Sequence, residues 1–155
     1  LWTMPTKLEL ALEIAAKALQ RRAHFEEEIA GKLRQEGFAE DTVRAALARL
    51  RELGFLNDAA QAGDFAERSE LGAGRIRSEL ERRGATGEAI EAAMGSLPAD
   101  RELSAAVQAL SHRFRHTTVR NPFKMGRYLY QRGFDEETIE TAVRRFMDED
   151  ESSHA

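Results

Sequence analysis

Residues 33–50 read LRQEGFAEDTVRAALARL, and the same frame returns as LERRGATGEAIEAAMGSL at 80–97 and LYQRGFDEETIETAVRRF at 129–146. Leu33, Leu80 and Leu129 align without a gap, as do Gly37, Gly84 and Gly133. The trios Val43, Ile90, Ile139 and Leu47, Met94, Val143 follow in register, and the copies stand 47 and 49 residues apart. Self-similarity at such a period marks a repeat architecture, in which each copy is one supersecondary unit.

Within the block, Val43, Leu47 and Leu50 recur at i, i+4 and i+7 with Ala46 beside them, which puts them on one helical stripe. The glycine ends the preceding helix, because a chain leaving a helix often needs the left-handed conformation that glycine adopts without strain. Thr86 and Asp135 stand where an N-cap of the next helix is needed. The aligned Ala39 cannot cap, although Glu40 and Asp41 favour the dipole of its helix.

Two further helical stretches precede each block. In the first copy they run from about Lys7 to Arg22, with Leu8, Leu12, Ala15 and Leu19 on one face, and from about Phe25 to Glu36, with Ile29 and Leu33. In the third they run from about Ala99 to Arg115, with Leu103, Val107, Leu110 and Phe114, and from Asn121, where Asn-Pro reads as a cap followed by proline at the first helical position. The middle copy starts at Asn57 or Asp58, after the helix-ending Gly54.

The expected fold is all-α: three tandem three-helix repeats stacked into an elongated, curved, solenoid-like body, because one such unit buries little apolar area alone. The expected divisions are an N-terminal extension at 1–6, repeats at 7–54, 55–98 and 99–147, and an acidic disordered tail at 148–155. A long helical surface suits a large partner better than a small substrate.

Composition agrees with a water-exposed helical chain: 42% of its 155 residues are hydrophobic and 32% charged. No apolar run approaches a membrane span, and the first residues lack the pattern of a signal peptide, so a cytoplasmic location is expected. The absence of cysteine excludes disulfides and cysteine-based zinc sites.

Charge is uneven. Nine cations meet nine acids in residues 1–53, five meet eight in 54–97, nine meet six in 98–147, and four acids stand unopposed in 148–155. Leu103 to Phe134 contains no acid but holds Arg113, Arg115, Arg120, Lys124, Arg127 and Arg132, with Phe114, Phe123, Tyr128 and Tyr130 interleaved. His112 and His116 add charge at lower pH. This pattern suits an anionic partner; the alternative is a solvated basic face with the aromatics in the core.

A second cluster, Gly72-Ala73-Gly74-Arg75-Ile76-Arg77 with Arg82 and Arg83, places Ile76 and Leu80 in the core and leaves Arg75, Arg77, Arg82 and Arg83 to solvent or partners. Its glycines do not make a phosphate loop, since no strand precedes them and the Walker lysine and hydroxyl are absent. The acidic tail either solubilises the chain or folds over the basic third unit in competition with a partner.

Catalysis finds no support. His112 and His116 have metal-binding spacing on a helix, yet no third ligand lies nearby in sequence. Glu26, Glu27 and Glu28 fit a helix N-terminus, Asp58 and Asp64 lack a partner base, and no serine-hydrolase, P-loop or kinase signature occurs. Neither metal nor cofactor is expected.

The phrases carry a family resemblance. Gly54-Phe55-Leu56-Asn57-Asp58 is similar to the entry of the second repeat of the RecX family, regulators of the RecA recombinase. Gly72 to Leu80, continuing to Arg83-Gly84, resembles that family's glycine-rich phrase, and Arg127-Tyr128-Leu129-Tyr130-Gln131-Arg132-Gly133-Phe134 its third-repeat phrase. Glu28-Ile29 and Lys32-Leu33 before Gly37-Phe38 match the first repeat, so the likeness spans about residues 7–147.

The resemblance implies a monomeric, non-catalytic protein that binds the RecA filament on single-stranded DNA. It further implies inhibition of RecA's ATPase, strand-exchange and coprotease activities, with a role in recombination, DNA repair and the SOS response; some members bind DNA directly. Three departures bear on this. Asn57 replaces an acid, Ala60-Gln61 replaces an Arg-Phe pair, and the stretch from Asp58 to Gly72 is about three residues short of the family norm, with Glu67-Arg68-Ser69-Glu70-Leu71 in place of an arginine-rich phrase. The middle repeat's first helix is thereby shortened and loses cations, which shifts the expected contact surface to the third unit. The rival reading is a stand-alone nucleic-acid-binding helical repeat protein.

Overall fold

A computed structural model describes residues 2–154, with side chains through Glu149. Among the described residues there are nine helices and no strand: α1 (Lys7–Arg21), α2 (Glu26–Gln35), α3 (Glu40–Glu52), α4 (Asp58–Arg68), α5 (Ala73–Arg82), α6 (Gly87–Gly95), α7 (Arg101–Phe114), α8 (Pro122–Gln131) and α9 (Glu136–His154). The fold is all-α, and helix starts follow the expected caps. Thr86 Oγ1 accepts from the Ala89 N–H at 3.1 Å, and Asp135 Oδ1 from the Thr138 N–H at 2.8 Å. Asn57 Oδ1 accepts from Ala60 at 3.1 Å, and Asn121 Oδ1 from Phe123 at 3.0 Å ahead of Pro122. Ala39 makes no side-chain cap. Gly37, Gly54, Gly84 and Gly133 all take positive φ just past a helix, as the repeat frame requires.

Contacts group the chain into two compact units. One takes the residues up to Gly63 with Leu80–Ala93, the other Asp64–Glu79 with everything from Met94. The boundaries cut the middle triplet, whose helices of 11, 10 and 9 residues are together the shortest set and carry few large apolar residues.

In the first unit α1, α2 and α3 pack on one another around Ala11, Ala15, Ala18, Ile29, Leu33, Val43, Ala46 and Leu50. The expected face of α1 is rotated: its alanines are buried and Leu8, Leu12 and Leu19 are half-buried beside them. Small residues let helix backbones approach closely, and the leucines then fill the flanks. Each glutamate of the acidic run has its own cation, Glu26 with Arg51, Glu27 with Arg34 at 2.9 Å and Glu28 with Arg22 at 2.7 Å. Asp58, the first residue of α4, accepts the Glu26 amide at 3.0 Å, and burial pushes its carboxyl above the usual range.

The second unit repeats the arrangement with α7, α8 and α9 around Ala105, Ala106, Ala109, Leu110, Met125, Leu129, Phe134, Ala142 and Phe146. Arg101, buried at the start of α7, donates to the Ser69 carbonyl at 2.6 Å and pairs with Glu102 at 2.6 Å. Glu102 in turn accepts the Ala73 N–H at 3.1 Å, so one dipeptide closes the end of α4 and the start of α5.

The glycine-rich phrase has a packing role. The Gly72 N–H donates to the Arg132 carbonyl at 2.8 Å, and a Cβ on Gly72 would overlap the Gly133 carbonyl. A Cβ on Gly133 would meet the Arg75 backbone nitrogen at 2.8 Å. Two glycines thus let α5 close the carbonyl end of α8.

At 148–154 the backbone continues α9, which runs to His154. No glycine or proline stops it, and extending a packed helix costs far less than nucleating one. The backbone of the acidic stretch thus prolongs α9; the side chains from residue 150 on, and residue 155, lie outside the described residues.

Asp135 gives a test of the cap. The Thr138 amide bond holds its carboxyl below the usual aspartate range. A carboxyl depressed on folding stabilises the fold above its unfolded pKa, and that contribution disappears as pH falls through the folded value. Asp135→Ala should cost about 1 kcal/mol at neutral pH. The deficit against wild type, followed by thermal denaturation, should shrink below roughly pH 4.

Candidate functional site

The acid-free stretch from Leu103 to Phe134 becomes all of α7 after its first two residues, a turn and α8. Asn121 and Pro122 start α8, and its buried Met125 and Leu129 fix its rotation. Helical periodicity then sends Phe123, Arg127 and Tyr130 (i, i+4, i+7) outward in one stripe, with Lys124 beside it. Phe123 is 88% and Tyr130 74% exposed, and Val119 in the preceding turn is 77% exposed. Phe114 and Tyr128 stay half-buried as an edge-to-face pair with centroids 5.7 Å apart. Half of the interleaved aromatics are therefore surface, not core.

The cations divide as well. Lys124 and Arg127 stand exposed on the α8 stripe. Arg113 is exposed near the end of α7, its guanidinium 5.4 Å from the Phe114 ring centroid. Arg115, exposed, joins His112, Ser111, Gln108 and Arg145 around a groove of about 450 Å³ between α7 and α9. Arg120 turns inward, donating to the Phe114 carbonyl at 2.6 Å and lying 4.4 Å from the Phe146 ring centroid. Arg132, half-buried, lies over the Tyr128 ring at 5.2 Å. Arg75 donates to the Gln131 carbonyl at 3.1 Å, at the end of α8. Arg77 is half-buried with partners of its own rather than left to solvent, because it flanks the buried Ile76. Arg82 and Arg83 are exposed and belong to the first unit.

His116 falls beyond the end of α7, and His112 Nδ1 pairs with Glu70, so the two histidines do not share a helical face. Glu70 and Arg145 were invisible to a search along the sequence because folding, not spacing, brings them to α7. Among the described residues no group of three or more His, Asp or Glu side chains could hold a metal ion, and no helix is long and apolar enough to cross a membrane. The first unit has an apolar cleft of about 400 Å³ lined by Leu12, Ala16, Leu19, Gln20, Leu50, Leu53 and Phe55, with one amide as its only polar side chain.

The chain is similar to known proteins in sequence and in fold. Residues 11–50 match the family description "RecX, first three-helix domain". The chain is 34% identical over 132 residues to Regulatory protein RecX of Stenotrophomonas maltophilia, covering 81% of this chain and 80% of that one. It is 29% identical over 142 residues to Regulatory protein RecX of Lacticaseibacillus paracasei, covering 86% of this chain but spanning only 59% of the relative's length. The crystal structure of RecX from Lactobacillus salivarius superposes with a TM-score of 0.72 at 22% identity, covering 90% of this chain and 96% of that one. Sequence and fold together place the chain in the RecX family of regulatory proteins.

Proposed function

We propose that the protein binds the RecA nucleoprotein filament on single-stranded DNA and lowers its ATPase, strand-exchange and coprotease activities, and so regulates recombination, DNA repair and the SOS response. The observation that carries this reading is the set of exposed cations on α7 and α8, from a sequence stretch, Leu103 to Phe134, that itself holds no acid, joined to membership of a family of regulatory proteins. Arg113, Arg115, Lys124 and Arg127 are the contacts assigned to the filament. Arg75, Arg120 and Arg132 act on the same surface chiefly by holding it in shape, and Arg77, with Arg82 and Arg83 of the first unit, is proposed as a further contact with the partner.

Regulation needs no catalysis and no cofactor. A protein that binds one filament state more tightly than another shifts the population toward it by its differential affinity. The protein works as a monomer in the cytoplasm, where RecA acts. Adding it to RecA on single-stranded DNA should lower the steady-state ATPase in a saturable way. An unchanged rate at saturating protein would remove the proposal.

A further inference from the structure

The outer face of α8 has a composition that the filament reading alone does not explain. Phe123 and Tyr130 stand seven residues apart, about 10 Å along the axis and about 20° apart around it, with Arg127 between them. Both rings are exposed, while the aliphatic residues of the helix, Met125 and Leu129, are buried on the opposite side. The face thus offers two flat rings and two cations, with Pro122 at its start and Val119 in the preceding turn as the neighbouring exposed aliphatic groups. The stretch from Leu103 to Phe134 that supplies this face contains no acid of its own.

A protein-binding patch is usually depleted of lysine at its centre and gathers aliphatic as well as aromatic residues. Rings spaced by cations are what a flexible polyanion with aromatic bases requires, because every base offers a face for stacking and every phosphate a charge. From this we infer that the α8 face is a stacking platform for single-stranded nucleic acid: Phe123 and Tyr130 each take a base, and Lys124 and Arg127 take the intervening phosphates. The inference rests on the filament reading for its setting, in that the same surface meets the filament and the strand is the component it touches. Stacking is sequence-tolerant, so the platform imposes little base preference.

The two kinds of contact respond differently to salt, which makes them separable. Fluorescence anisotropy with a labelled oligothymidylate, across a salt series, should show Phe123→Ala and Tyr130→Ala each weakening binding about tenfold at every salt concentration. The log–log salt slope should stay that of wild type. Phe123→Tyr and Tyr130→Phe should restore affinity. Lys124→Gln and Arg127→Gln should each flatten the slope by about 0.7. Unchanged melting temperatures, expected for side chains this exposed, would separate lost contacts from lost fold. Ring-deletion variants that bind oligothymidylate like wild type would overturn the inference. So would displacement of the oligonucleotide by polyglutamate equally from wild type and ring variants, which would mark an acidic-protein surface. Pelleting with RecA filaments by a wild-type protein that ignores free oligothymidylate would also overturn it while leaving the filament reading intact. Oligothymidylate binding that needs both rings, without RecA pelleting, would keep the platform and remove the filament reading.

Discussion

Gly72→Ala should destabilise the protein by roughly 3 kcal/mol, the upper end of what an overpacked side chain costs. The reason is that its methyl would overlap the Gly133 carbonyl, a backbone atom that cannot rotate away. The same displacement would break the Gly72–Arg132 hydrogen bond, worth about 1 kcal/mol. For a chain of this size the melting temperature should fall by about 6–12 °C. Gly31→Ala is the control, since nothing lies within 4 Å of its Cβ and it sits inside α2. That change should raise stability by roughly 0.5–1 kcal/mol. Equal melting temperatures for Gly72→Ala and wild type would refute the close approach of α5 and α8.

Reversing Arg113, Arg115, Lys124 and Arg127 to glutamate should weaken filament binding by at least about a hundredfold near 100 mM salt. Four phosphate contacts correspond to a log–log slope of about −3 on single strands, and the variant's slope should approach zero. The six cations of the sequence would predict a steeper slope, but Arg120 and Arg132 are held inside the unit. Arg120→Ala should therefore lower the melting temperature, through the Phe114 carbonyl and the Phe146 ring, before it says anything about binding.

The helices were legible because their punctuation is local. Gly37, Gly84 and Gly133 mark ends, Thr86, Asp135 and Asn121 mark starts, and the 3–4 stripes mark the buried trio Leu33, Leu80 and Leu129. What could not be read depends on neighbours distant in sequence. The burial of alanines ahead of leucines in α1 depends on how α2 and α3 pack against it. The division into two units follows from where the short middle helices find contacts. The purpose of Gly72 required knowing that Gly133 would be beside it. At the surface, the stretch free of acids was visible, but not which residues faced out; Phe123 and Tyr130 emerged only once Met125 and Leu129 fixed the rotation of α8.

The identity of that surface is decided most directly by co-sedimentation with RecA filaments on single-stranded DNA, comparing wild type with the variant carrying glutamate at 113, 115, 124 and 127. The account predicts that wild type pellets with the filament and that the variant, folded and with an unchanged melting temperature, stays in the supernatant. A variant that pellets as fully as wild type would contradict it.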